Sequence, residues 1–272
     1  MTDIGRRDFM GRAALAVGGL AAGRILFAEQ RRPPSFVVKV LYDGDPPEPK
    51  EVDCSEDPYC AQLVREKPRT EDTLLVSKDR ELQNVFVSVV KGLPKNRKWP
   101  APSEPVSVNE KCWFTPHVLG VMVGQPLEFH NDTKTLEVPH GFARRNKEFS
   151  FNIPEGQRRR VVLEYPEVIK LKCDVHPWEL AWCHVVDHPF FTVSDAQGQA
   201  AVQGLPAGEY EIELWHEILG ARTVAVKIED GKTARTTAVK FHPDRRRRSA
   251  TATSPAETMR EGSNPAPASS SS

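Results

Sequence analysis

From Phe36 onward, short apolar runs alternate with polar turns, and within the runs buried-type and exposed-type residues repeat with a period of two. Strands are predicted over 36–42, 73–76, 85–90, 118–123, 127–130, 149–153, 160–165 and 168–173. Most are rich in Val, Ile, Leu or Phe and are bounded by Gly, Pro, Asp or Asn, the pattern of an all-β sandwich. One helix is predicted, over 58–67. No long amphipathic helix is available to cover a parallel sheet, which argues against doubly wound and TIM-barrel folds.

A second unit starts near Phe190. Turns fall at 194–198 and 204–208, after which Tyr210, Ile212 and Leu214 alternate with Glu209, Glu211 and Glu213. Val224, Val226 and Ile228 share one face of the returning strand, and Asp230-Gly231 turns the chain into 233–241. This is a small antiparallel sheet with one buried face, expected to pack on the sandwich because so few strands are marginal alone. The expected organisation is a sandwich over 36–189, a small β-domain over 190–242 and a disordered tail over 243–272. The tail follows Arg245–Arg248 with mostly Ser, Thr, Ala and Pro, which cannot bury enough apolar area to offset the entropy of ordering.

The other terminus carries an address. Arg6-Arg7-Asp8-Phe9-Met10 precedes a charge-free run of small residues over 13–23, and residues 1–30 read as a twin-arginine export signal. Leu26-Phe27-Ala28 ends on a small residue but does not begin with one. Two outcomes stay open: cleavage, or an uncleaved segment that anchors the protein to the membrane. The expected location is the periplasm or cell envelope.

Charge removes one class of partner. The 272 residues hold 37 Lys and Arg against 37 Asp and Glu, so no global field attracts nucleic acid. No uncharged run is long enough to span a bilayer. Gly-rich phosphate loops and nucleophile elbows are absent from the sequence, and no small-molecule substrate or enzymatic activity is implied.

The chemistry concentrates in 168–179. Alternation places Ile169, Leu171 and Cys173 on one strand face, so the thiol arrives pointing inward just before a loop offers His176. A thiolate and an imidazole from one short loop suit a soft or borderline metal; two imidazoles, one thiolate and a weak axial ligand form the blue-copper pattern. Five cysteines are present, Cys54, Cys60, Cys112, Cys173 and Cys183, and an odd count leaves at least one unpaired. If Cys173 is the metal thiolate, the other four can make two bridges. The competing account pairs Cys173 with Cys183 and binds no metal.

Other polar residues have plainer readings. His216-Glu217 lacks a second His at zinc-protease spacing and is expected to be structural. His117 and His130 read as hydrogen-bonded strand-end histidines, and alternation does not settle which face His184 takes. Trp178 and Trp182 are expected to pack.

Taken together, Cys173-Asp-Val-His-Pro-Trp178, Val185-Val-Asp-His-Pro-Phe-Phe191, Gly204-Leu-Pro-Ala-Gly-Glu-Tyr210 and Trp215-His-Glu-Ile-Leu-Gly220 resemble a known family. It is that of plastocyanin-like cupredoxins fused to a carboxypeptidase-regulatory-like segment, often labelled methylamine-utilisation proteins. The stretches 84–90, 111–121, 123–127 and 144–149 fit the same picture, and the resemblance covers about residues 36 to 241. It implies a cupredoxin-like Greek-key sandwich followed by a transthyretin-like β-domain, a copper cofactor, and transfer of single electrons to a redox partner protein. It also implies a disulfide between Cys60 and Cys112.

The metal site departs from that family. Laid on its Leu-His-Asn-Val-His string without a gap, this chain puts Glu137 at the first His and His140 at the second; Cys173 and His176 match the loop ligands, and Glu179 stands where the family has its axial Met. Carboxylates make the site harder and admit zinc or iron more readily. Three readings follow: copper held by Cys173 and His176 with Glu137 or His140 in plane and Glu179 axial, a set that resembles the red-copper protein nitrosocyanin; a metal-free binding or structural module, in which Glu137 and Glu179 must face water; or a hydrolytic metal, which needs an open position.

Overall fold

The computed structural model describes residues 35–243. The export signal expected over 1–30 lies outside the described residues, as does the tail expected over 243–272 beyond its first residue.

The described chain is almost all β and forms two large apolar cores, with a smaller cluster around Cys54, Cys60 and Cys112. The first core is assembled from the two ends of the chain. β1 (Phe36–Tyr42) pairs antiparallel with β13 (Gln199–Val202) and parallel with β16 (Ala234–Arg235) and β17 (Val239–Phe241). β2 (Phe86–Lys91) lies between β12 (Phe191–Val193) and β14 (Gly208–His216), and β14 continues into β15 (Gly220–Ile228). Alternation decides what is buried: Phe36, Val38, Val40 and Tyr42 of β1 point inward, as do Tyr210, Ile212 and Leu214 of β14.

The second core lies entirely between β2 and β12. One sheet has the order β4-β3-β6-β9, with β3 (Val106–Glu110), β4 (Phe114–Thr115), β6 (Pro126–Asn131) and β9 (Arg158–Val162). The other has the order β5-β11-β10-β7-β8, with β5 (Val118–Met122), β7 (Pro139–Phe142), β8 (Phe149–Ser150), β10 (Glu167–Cys173) and β11 (Leu180–Val186). Val108, Leu127 and Phe129 of the first sheet meet Val121, Ile169, Leu171 and Cys183 of the second in one core. The pairs β3–β6 and β5–β11 are parallel, so the chain crosses between the sheets. This is consistent with the cupredoxin-like sandwich expected from the sequence.

The boundary expected at residue 190 is not a division in the packing. β1 and β2, ahead of it, are hydrogen-bonded to strands behind it. The sandwich is an insertion within the other sheet system, because strands choose partners by face and register and not by order in the chain. The strand expected over 73–76 is absent: Val76 makes a single bridge to Leu82 across a turn. β3, β4, β7, β11, β12 and β13 are not among the predicted strands.

Residues 43–79 make a separate excursion whose ends meet where the Tyr42 N–H donates to the Arg80 carbonyl at 2.7 Å. It carries α1 (Pro58–Glu66), which starts as its sequence dictates: Asp57 is the N-cap, its carboxylate accepting from the Cys60 N–H at 2.8 Å, and Pro58 opens the first turn. The expected Cys60–Cys112 disulfide is formed and joins this excursion to the sandwich. Cys54, Cys173 and Cys183 are free and buried. No Cys173–Cys183 bridge forms, since β-sheet register sets Cys183 opposite Ile169, roughly 13 Å along the strand from Cys173.

Candidate metal centre

Four of the five residues singled out from the sequence converge. Cys173 ends β10 on the core face, following Ile169 and Leu171 as alternation requires. His176 and Glu179 come from the loop before β11, turned by the Glu179 N–H donating to the His176 carbonyl at 3.0 Å. Glu137 precedes β7, where its backbone exchanges two hydrogen bonds with Ile153. Ligand atoms of Glu137, Cys173, His176 and Glu179 all lie within 4.8 Å of one another.

The pocket is enclosed. Glu137 and Glu179 are 0% exposed, His176 2% and Cys173 4%. The His176 ring presents Nδ1 to the cluster, 2.8 Å from Glu137 Oε2 and 3.7 Å from Cys173 Sγ. Cys173 Sγ also lies 3.4 Å from Glu137 Oε2 and accepts the Val138 N–H at 3.3 Å, a contact that favours a thiolate. Glu137 Oε1 accepts from Thr133 at 3.3 Å; Asn131 holds Thr133 in turn, through bonds to its N–H and hydroxyl.

Glu179 is the anomaly. Its Oε1 lies 3.3 Å from His176 Nδ1, within ion-pair reach, yet neither oxygen has a hydrogen-bond partner. The geometric reason is that Nδ1 is better placed for Glu137. Burial, reinforced by Glu137, pushes the Glu179 carboxyl up to about 8. Burial acts downward on His176, but its contacts with Cys173, Glu137 and Glu179 outweigh this and push it up to about 12. Burial raises the Cys173 thiol.

This donor set fits a metal. Two carboxylates and a thiolate carry three formal negative charges when deprotonated, and one imidazolium offsets one of them. A divalent ion would take Sγ, Nδ1 and one oxygen from each glutamate, satisfying the Glu179 carboxylate. On its other side the ring is oriented by the excursion: His176 Nε2 is 3.6 Å from Asp57 Oδ2, and that oxygen is fixed by the Thr135 hydroxyl at 2.9 Å. A carboxylate behind a ligating imidazole sets its tautomer and basicity. Trp178 stacks on His176 at 5.1 Å, and its indole N–H donates to the Cys112 carbonyl at 2.9 Å.

His140 does not join the site. It pairs across β7–β10 with Lys172, on the outer face, while Pro139 pairs with Cys173 on the inner one. Its nitrogens engage Asp174 at 2.9 Å and Glu148 at 2.7 Å. The gap-free alignment placed it one strand face out. Asp57 was not among the sequence candidates; Asp-Pro announces a helix start but nothing in the sequence links it to His176.

The remaining histidines are structural. His117 donates Nδ1–H to the Leu180 carbonyl at 2.9 Å and pairs through Nε2 with Glu217, which also accepts the Trp182 indole N–H at 2.7 Å. His216-Glu217 thus ties the end of β14 to the sandwich. His130 pairs with Glu128 at 2.6 Å. His184 stacks on Phe86 at 3.9 Å and meets Trp215 edge-on, with Nε2 unpartnered.

No family profile and no curated protein matches the chain. Among solved structures, it is similar to a copper-containing nitrite reductase from Thermus scotoductus SA-01, at 21% identity and a TM-score of 0.30 over 36% of this chain; it spans 26% of that enzyme. A purple cupredoxin from Nitrosopumilus maritimus is similar at 21% identity and a TM-score of 0.26, over 29% of this chain and 97% of that one. A reduced amicyanin variant aligns at 18% identity and a TM-score of 0.27, over 30% and 81%.

Proposed function

We propose that this protein holds a copper ion at Cys173, His176, Glu137 and Glu179 and exchanges single electrons with a partner protein. The observation that carries the reading is the fully buried, unpartnered Glu179 carboxylate facing a thiol, an imidazole and a second buried carboxylate. Copper in such a set supplies a one-electron couple, and two hard oxygen donors favour its more charged state. The protein's own residues do the rest: Glu137 and Glu179 balance charge, Asp57 orients the imidazole, and Trp178 and α1 exclude water. A carrier suits this geometry better than an enzyme, because four side-chain donors leave no open position for a substrate. Export by the twin-arginine route belongs to the same reading and rests on the sequence of residues 1–30.

The metal-free alternative asks Glu137 and Glu179 to face water, and both are sealed. Titrating purified metal-free protein with Cu(II) tests the proposal. The expected result is one equivalent bound with an intense thiolate-to-copper band, lost in Cys173→Ser while the far-ultraviolet β spectrum stays. Absence of binding, or an unchanged band in Cys173→Ser, overturns it. Zinc bound in preference to copper under competition would keep the site and discard electron transfer.

A further inference from the structure

The outer face of the sheet that ends in Cys173 is built differently from the rest of the surface. Along β10, Val168, Lys170 and Lys172 point outward at alternate positions, flanked by Phe142 of β7 and Trp182 of β11. Together with Arg144 they line a hollow of about 610 Å³. Phe142 is 42% exposed and Val168 43%, so two large apolar side chains stand open between cations. The one carboxylate in the hollow, Glu167, is already occupied: it accepts from the backbone N–H groups of Arg144, Arg145 and Asn146 at 2.7 to 3.2 Å. That arrangement fixes the loop while leaving the arginine side chains without a carboxylate. Among the described residues neither lysine and neither arginine forms an ion pair.

This charge is local. The chain as a whole is balanced, 37 against 37, yet this hollow sets four cations against one consumed anion. The two lysines also line an adjoining cavity of about 410 Å³ whose wall includes Trp178 but also Glu51, Asp53, Glu71 and Asp72, so the basic patch ends there. We propose that this face is the docking surface for a protein partner that presents an extended acidic segment. Outward residues two apart on a strand are spaced roughly 7 Å, so carboxylates at alternate positions of an extended partner segment match Lys170 and Lys172. A third position on that same face of the segment, two residues further along, sets an apolar side chain against Val168, with Phe142 and Trp182 on either side of Lys170. A bare polyanion would leave that apolar surface uncovered, which is why a protein is the occupant. Docking here places the partner over the strand that carries Cys173.

The test reads binding to the metal-free full chain and therefore stands or falls apart from the copper proposal. An acetylated nonapeptide, Ser-Val-Ser-Glu-Ser-Glu-Ser-Val-Ser, which carries its apolar and acidic side chains on one face, is titrated into isotope-labelled protein at low and moderate salt, beside the same peptide with Gln for Glu and a single-stranded oligonucleotide. The expected result is amide shifts confined to residues 142–145, 168–172 and 182, and affinity that falls with salt. Lys170→Glu with Lys172→Glu should weaken binding roughly tenfold or more, and so should Gln for Glu. Shifts elsewhere, equal binding by the double variant, or occupation of the face by the oligonucleotide and not by the peptide would each overturn the proposal.

Discussion

Burying an ionised carboxylate without a hydrogen bond costs on the order of several kcal/mol, and Glu179, with neither oxygen hydrogen-bonded and only His176 within ion-pair reach, keeps its proton up to about 8 instead. Two effects of opposite sign follow. The metal-free fold holds Glu179 protonated up to about 8 while the unfolded chain ionises it, so Glu179→Gln, which removes that titration at nearly constant volume, should stabilise the metal-free protein by roughly 1–3 kcal/mol at neutral pH, while copper retention against a chelator falls. Chemical denaturation with and without copper reads both; a variant that loses stability in the metal-free state would show that Glu179 has a protein partner. Glu179→Met should raise the copper reduction potential, since a thioether favours the softer ion. His184 and His216 supply a pH dependence. Burial lowers them to about 3 and about 4, so both stay neutral when folded, whereas in the unfolded chain they take up protons below about 6.5. Their contribution is complete above pH 6.5 and is lost as pH falls towards 4, at up to about 1.4 kcal/mol per unit per residue. His184→Phe, which keeps the stack on Phe86, should flatten that acid limb in denaturation curves. At this scale the sequence shows the ligand loop well: alternation alone aims Cys173 inward. It misjudges His140, because only the β7–β10 register shows that its neighbour Lys172 faces out.

Elements with one buried face are legible from sequence, and the rest are not. β1, β10, β14 and β15 carry clean alternation and fall within a residue or two of expectation. β11 lies between β5 and β10, and its sequence Leu-Ala-Trp-Cys-His-Val-Val sets apolar residues on both faces, so no apolar–polar period of two announces it. β7 is short and includes Gly141, where an added Cβ would lie 2.3 Å from the Phe149 ring; packing, not propensity, makes it a strand. The segment 73–76 has strand composition but packs its apolar side chains with one bridge, Val76 to Leu82, and no ladder. The disulfide is the element-scale device that reaches the site, because Cys60 sits in the first turns of the helix capped by Asp57. Replacing Cys60 and Cys112 with Ser reopens a closure of 52 residues, a loss of about 4 kcal/mol by chain entropy. Copper should also leave such a variant faster, as Asp57 is no longer held behind His176. Unchanged release kinetics to a chelator would separate the bridge from the site.

At the scale of the whole molecule, two excursions leave one sheet system and meet each other. Residues 43–79 depart and return where β1 approaches Arg80, and residues 92–190 depart and return between β2 and β12, which are hydrogen-bonded neighbours. The candidate centre takes four donors from the second excursion and its orienting carboxylate from the first. Sequence reading finds both sets of strands but draws the boundary at 190, since nothing in the composition of β1 or β2 says that their partners lie more than a hundred residues later.

That pairing has a consequence in time. Every strand that forms a ladder with β1 comes from residues 199–241, so β1, the first of the described strands, is bonded only to residues 80–82 until nearly all of the described chain has followed it. The inserted sandwich needs no such wait, because its strands lie together in one stretch, and domains tend to fold as units. Pulse-labelled hydrogen exchange during refolding should therefore protect β10 and β11 before β1. A nascent chain halted ahead of residue 199 would carry a formed metal pocket on a scaffold in which β1, held only by residues 80–82, is still largely an open edge, the kind of exposed template that invites association between chains.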